Sequence, residues 1–316
     1  MSCHMPGRRL GFAPPMADSS KPAPASSKRT VFIRRTTSTL LLWAIVAGTC
    51  FSMNAAAYLG LFVALTLLAT MEYFRMVQDD GVHCYPRLGM LTTAAYCGVV
   101  FHTFNNGGTS LPAEIDLFAI AFITMAAFTL QLRYPVHGND VLLSVASTVL
   151  GFIYIPFLFH FGSRIVFMVP GTSEVPGAFL LLWLLAVTKF TDMGAYIVGS
   201  MIGKNKMIPH ISPGKTWEGF AGALLFSQLA ACGLYALMPV KLAVLSGWPH
   251  VIALGFILCL LAVIGDLAES VVKRALGAKD SGRMLPGIGG ALDLIDSICF
   301  TAPALYFYLK WVLKIA

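Results

Sequence analysis

Of 316 residues, 57% are hydrophobic and only 12% are charged, too little polar surface to coat a soluble globule of this length. The chain reads as an integral membrane protein. Its net charge of +7 lies on Lys and Arg confined to the termini and short loops, which suits anionic lipid headgroups; no basic stripe carries interleaved aromatics, so nucleic-acid binding is excluded. Cys3, Cys50, Cys84, Cys97, Cys232, Cys259 and Cys299 fall mostly inside apolar runs, with no CxxC or Cys/His spacing, and read as reduced membrane thiols.

Residues 1–30 are rich in Ser, Pro and Ala without periodicity and read as a disordered cytoplasmic tail. Beyond it the fold class is all-α. Runs long enough to span a bilayer fall near 36–53, 55–74, 89–104, 115–133, 141–161, 178–198, 217–238, 250–269 and 291–313, predicting about nine transmembrane helices. With the N-terminus inside, seventeen Lys/Arg fall on the cytoplasmic side and four on the other: Arg164, Lys241, Lys310 and Lys314. Lys189 is left within a span. The chain divides into the tail, a transmembrane bundle over 31–177 and a region over 178–316 that carries both strongly charged loops and is the candidate catalytic part.

The stretch Ser270–Asp296, SVVKRALGAKDSGRMLPGIGGALDLID, concentrates chemistry. Asp293 and Asp296 stand three apart at the start of an apolar run and share a helical face; Asp266 and Glu269 repeat that spacing at the end of the preceding span. Carboxylates at membrane depth are costly, and a cluster of them favours a hard divalent cation such as Mg²⁺, which shares its oxygen ligands with substrate phosphates. Asp266, Asp293 and Asp296 are the candidate metal ligands. The structural alternative is that Asp266 or Asp293 merely neutralises Lys273 or Arg274 at a helix end. Lys273, Arg274, Lys279 and Arg283 beside the flexible Pro286–Gly290 suit a phosphate-rich substrate, with positive-inside contact to lipid as the plainer reading of any one of them.

The second charged loop, Gly203–Gly219, contains Ser212, Pro213, Gly214, Lys215 and Thr216 just before a span, an anion site at a helix N-terminus. Its GKT does not make a Walker loop, because Pro209 stands where that motif needs glycine. Asp192, deep in a span beside Thr191 and Gly194, reads equally as a polar ligand or a packing residue. The histidines, His160 among them, read as loop or interface residues, and Trp183, Trp217, Trp248 and Trp311 as interfacial belts.

Together the two loops resemble the phosphatidate cytidylyltransferase (CDP-diacylglycerol synthase) family. Its pattern S-x-φ-K-R-x4-K-D-x-small-x2-φ-P-x-H-G-G-φ-x-D-R-φ-D, with φ apolar, is met by Ser270, Lys273, Arg274, Lys279, Asp280, Gly282, Leu285, Pro286, Gly289, Gly290, Asp293 and Asp296. Asp192–Tyr196 and Ser212–Gly219 are similar to its upstream motifs. Ile288, Ala291 and Leu294 depart from it, replacing the family's histidine, an apolar residue and an arginine. The resemblance implies cytidylyl transfer from CTP to phosphatidate with Mg²⁺ and room for a second metal. It gives Asp266, Asp293, Asp296 and Lys273 catalytic roles and Ser212, Lys215, Arg274 and Lys279 contacts to CTP. It further implies a bacterial inner membrane location with the site facing the cytoplasm, and leaves a homodimer open.

Two other classes compete. A transporter would spread its acids along several spans. A CDP-alcohol phosphotransferase or polyprenyl transferase would carry Asp-rich motifs that are absent here.

Overall fold

The computed structural model describes residues 44–46, 48, 49, 51–136, 138–169, 175–278, 281, 282 and 289–315. The disordered tail expected over 1–30 lies outside them, as does most of the span expected at 36–53. Where the chain crosses lipid, only a helix satisfies every backbone N–H and C=O internally, so the long apolar runs become helices. They are α1 (Ala55–Asp79), α2 (Pro86–Asn105), α3 (Ala113–Gln131), α4 (Asp140–Phe152), α5 (Phe161–Met168), α6 (Ala178–Ile202), α7 (Trp217–Leu237), α8 (Trp248–Ala275) and α9 (Leu292–Phe307).

Polar punctuation marks their ends. Asn54 caps α1 by accepting from the Ala57 N–H at 3.0 Å, and Pro86 opens α2, where its missing N–H costs nothing. α4 runs on into α5 through a π-turn, Ile153–Phe157, forced where Pro156 removes a donor from the ladder. α9 likewise continues through a second π-turn, Tyr308–Val312.

Among the described residues, seven segments are long and apolar enough to cross a membrane, counting 140–168 and 292–312 as single passes. The expected span at 89–104 is present as α2, yet its threonines, glycines and histidine leave it short of that group. The all-α expectation needs one amendment: between α6 and α7 an antiparallel hairpin pairs β1 (Lys206–Ile208) with β2 (Ser212–Thr216).

α6 and α7 lie closely side by side, α8 packs on both of them, and α9 is held between α8, α6 and the N-terminal bundle, including α1. The core runs through this junction. Trp183, expected at an interface, is completely buried there, its indole N–H donating to the Ala231 carbonyl at 3.0 Å; Trp217, Trp248 and Trp311 do lie exposed near helix ends. His160 is also buried, with Nδ1 3.0 Å from Ser163 Oγ and Nε2 3.3 Å from Cys97 Sγ. Arg164, expected in a loop, belongs to α5 and is buried against Asp116. The five described cysteines are free thiols.

Candidate active site

The second charged loop is shaped by its own side chains. Thr216 is the N-cap of α7, its Oγ1 accepting from the Gly219 N–H at 3.1 Å. Glu218 on the first turn reaches back to accept from the Lys204 N–H at 3.2 Å and the Asn205 side-chain amide at 2.7 Å. The Trp217 N–H donates to the Asn205 carbonyl at 3.0 Å, closing the hairpin. These bonds hold Ser212, Gly214 and Lys215 at the mouth of a cavity of about 550 Å³.

The opposite wall comes from α8 and α9. Asp266, Glu269 and Lys273 follow at i, i+3 and i+7 and lie on one face of α8. Asp293 and Asp296 occupy the first turns of α9. The two helices touch at Gly265, where an added Cβ would come within 2.9 Å of Ser297 Cα and 3.0 Å of the Asp296 carbonyl oxygen. Only a residue without a side chain permits that approach, and the approach brings the two sets of acids together.

One carboxylate oxygen from each of Asp266, Glu269 and Asp296 lies within 4.8 Å of the others, the scale of one cation's shell of oxygen ligands. Glu269 and Asp296 are buried, and Glu269 Oε1 has no hydrogen-bond partner among the described residues. A buried carboxylate with an unsatisfied oxygen, grouped with two other acids, fits a hard divalent ion well. Asp293 is engaged differently. Lys273 Nζ donates to Glu269 Oε2 and to Asp293 Oδ1, both at 2.9 Å, while Asp293 Oδ2 accepts from Ser281 Oγ at 2.8 Å and the Gly290 N–H at 2.7 Å.

The remaining candidates are placed as follows. Asp266, Asp293 and Asp296 line the cavity with Ser212 and Lys215; Lys215 forms an ion pair with Asp266 and donates to the Val263 carbonyl at 3.3 Å. Asp192 of α6 lines it too, 3.5 Å from Lys189 Nζ. Lys273 is not among the lining residues but bonds to Asp293, which is. Arg274 is exposed, reaching the Ile211 carbonyl of the hairpin at 3.4 Å and that of Ala278 at 3.3 Å, and so ties the two charged loops to each other. Lys279 and Ile288 fall outside the described residues. Of the other two departures from the family pattern, Ala291 is buried as the N-cap of α9, and Leu294 packs partly buried against the core.

Two residues were not among the sequence's candidate ligands, and only one of them was noticed there at all. Glu269 gains its place from spacing that was visible, three after Asp266 and four before Lys273. Glu72 of α1 had no such signal. It is 2% exposed, and its Oε2 accepts from the Leu292 N–H at 3.0 Å, which pins the first turn of α9. Gly282 and Gly290 both press their backbones against its carboxylate so closely that a Cβ at either would displace it.

Around this cavity the described residues supply five carboxylates, Asp192, Asp266, Glu269, Asp293 and Asp296, against three ammonium groups, Lys189, Lys215 and Lys273. The acids outnumber the lysines, a balance that suits a bound divalent cation. All five acids gather at one end of the helices instead of being strung across them as an ion path requires.

The sequence comparisons agree with this geometry. Residues 33–312 match the model of the cytidylyltransferase family. A phosphatidate cytidylyltransferase of Mycobacterium bovis is 38% identical over 259 residues, covering 80% of each chain. That of Bacillus subtilis is 31% identical over 249 residues, 78% of this chain and 84% of its own. An uncharacterized Escherichia coli protein, YnbB, is 32% identical over 277 residues, 85% of both chains. With a hairpin and an acid cluster converging on one cavity and a match that runs almost from end to end, the chain belongs to the cytidylyltransferase family.

Proposed function

We propose that this protein is a membrane-embedded phosphatidate cytidylyltransferase that converts CTP and phosphatidate to CDP-diacylglycerol and pyrophosphate. The observation that carries the reading is the shared cavity: Ser212 and Lys215 on one wall face Asp266, Asp293 and Asp296 on the other. Relatives with this activity in their names match over about four-fifths of the chain.

In the reaction an oxygen of the phosphatidate phosphate forms a bond to the α-phosphorus of CTP, while the bond from that phosphorus to the α–β bridging oxygen breaks and pyrophosphate departs. The nucleophile is a phosphate monoester, ionised at neutral pH, so no serine or cysteine has to be activated. Catalysis is then a matter of placing two anions in line and screening their repulsion. Lys215 would exchange its partner Asp266 for a CTP phosphate as nucleotide enters, with the Ser212 hydroxyl beside it. Lys273 holds Glu269 and Asp293 in position; Arg274 and Lys279 meet the triphosphate from the adjoining loop. Asp266, Glu269 and Asp296 would hold Mg²⁺, which supplies Lewis-acid stabilisation of the phosphoryl oxygens when bound, with Asp293 positioning the loop and lysine beside them. Tyr196, 76% exposed on α6, forms with Phe220 the apolar side of the cavity at which acyl chains enter from the bilayer.

The charge bias supports a cytoplasmic N-terminus and a site facing the cytoplasm of a bacterial inner membrane, with nine passes once 36–53 and 89–104 are included. Purified protein given labelled CTP, Mg²⁺ and phosphatidate should release CDP-diacylglycerol, and CTP should outcompete ATP and UTP. Folded protein that yields no CDP-lipid from any phosphatidate tried would overturn the assignment.

A further inference from the structure

At the opposite end of the helices from the active site lies a second cavity, of about 290 Å³. Connectivity puts it there: α1, α6 and α8 end at the catalytic side, whereas the α2–α3 loop and the end of α9 lie across the membrane from it. Its lining includes Arg164, Lys310, Thr109 and Ser110, two cations and two hydroxyl residues, with Leu111 and Met168 as apolar wall. No carboxylate is among its described lining residues.

Only four of the 22 Lys and Arg residues were assigned to this side of the membrane, and two of the four line this one cavity. Arg164 is 6% exposed, an expensive position for a guanidinium. Its Nη2 is taken up by Asp116 Oδ1 at 2.6 Å and Tyr96 OH at 3.0 Å, but its Nε is buried with no acceptor among the described residues. Asp116 balances Arg164. Nothing among the described residues balances Lys310, whose ammonium lies 5.9 Å from the centre of the Tyr306 ring. Among the described residues the cavity is therefore rich in donors and cationic, with no lining acid, at the edge of an apolar bundle.

We propose that this cavity binds the phosphate of an anionic phospholipid headgroup from the leaflet opposite the active site. Arg164 and Lys310 would clamp the phosphate oxygens, Thr109 and Ser110 would donate hydroxyls, and Leu111 and Met168 would meet the start of the acyl region. This assignment stands independently of the cytidylyl-transfer reading, because it concerns a separate cavity and is read by binding.

The test is the thermal midpoint of the full-length protein in neutral detergent, titrated with phosphatidylglycerol, phosphatidylcholine or inorganic phosphate. Phosphatidylglycerol should raise the midpoint saturably and phosphatidylcholine should not. Lys310→Ala, which should leave the lipid-free midpoint and CTP turnover unchanged, should need about tenfold more phosphatidylglycerol, the loss of one charge-assisted hydrogen bond. Arg164→Lys, which keeps the charge and removes the fork, should weaken the response as well. Protection by inorganic phosphate that Lys310→Ala removes supports the phosphate site and reassigns its source to a soluble ion. Equal protection by both lipids, or an unchanged phosphatidylglycerol response in Lys310→Ala, overturns the proposal.

Discussion

Glu269 and Asp293 share a single lysine, and their other contacts divide their roles. Asp293 has both oxygens committed to Lys273, Ser281 and the Gly290 N–H, so it positions the loop and the lysine. Glu269 belongs to the acid cluster and keeps one buried oxygen unpartnered among the described residues. Glu269→Gln should therefore raise the Mg²⁺ concentration needed for half-maximal turnover by about 10–100-fold, the usual cost of disturbing a ligand set. Asp293→Asn should instead lower kcat at saturating Mg²⁺ by at least about 100-fold with expression intact. A magnesium titration of both variants separates the two; near-normal activity of Asp293→Asn would remove that residue from the machinery. Glu72 acts at greater distance. Glu72→Ala strands the buried Leu292 N–H and should destabilise the protein by about 1–3 kcal/mol, read as a lower thermal midpoint, with Glu72→Gln recovering part of the loss because its amide oxygen still accepts.

Among the elements, α8 and α9 determine the acid geometry because they meet at Gly265. Gly265→Val would push α9 away, with an overpacking cost of about 1–3 kcal/mol. The separation of Asp266 from Asp296 should raise the magnesium requirement along with the loss of stability, whereas a valine at Gly233 of α7, which meets open space, should leave both unchanged. Helices such as α6, α7 and α8 were legible at 178–198, 217–238 and 250–269 because length and hydropathy are local properties. The hairpin was not: Ser212–Thr216 reads as a plain helix approach until Asn205 and Glu218 close across it. The burial of Trp183 and His160 was equally out of reach. Both residue types serve at interfaces as readily as in cores, and only tertiary contact with Ala231 or with Ser163 and Cys97 decides between them.

For the molecule as a whole, the excess of acids over lysines around the cavity and the three-acid cluster within it fit a site completed by a bound cation. Chelation with EDTA should abolish turnover, and Mg²⁺ should restore it; the same treatment should lower the thermal midpoint, because a ligand that binds only the folded state stabilises it by mass action. A midpoint and a turnover both indifferent to chelation would remove the metal from the reading. The cluster of acids was visible in the sequence as spacing within the last two spans. Glu72 was not, since a lone glutamate in a span declares a role only through its partner, and that partner lies 220 residues further on.

That separation has a temporal consequence. Glu72 is translated and inserted early, yet the N–H group that completes it belongs to the last helix. At roughly 5–20 residues per second, the 220 intervening residues take about 10–40 seconds to emerge. Throughout that interval the Glu72 carboxylate of α1 lacks the Leu292 N–H. Arrival of the last described helix supplies the Leu292 N–H to that carboxylate and brings Asp296 to Asp266 and Glu269, so the Glu72 contact and the acid cluster form together only at the end of that interval.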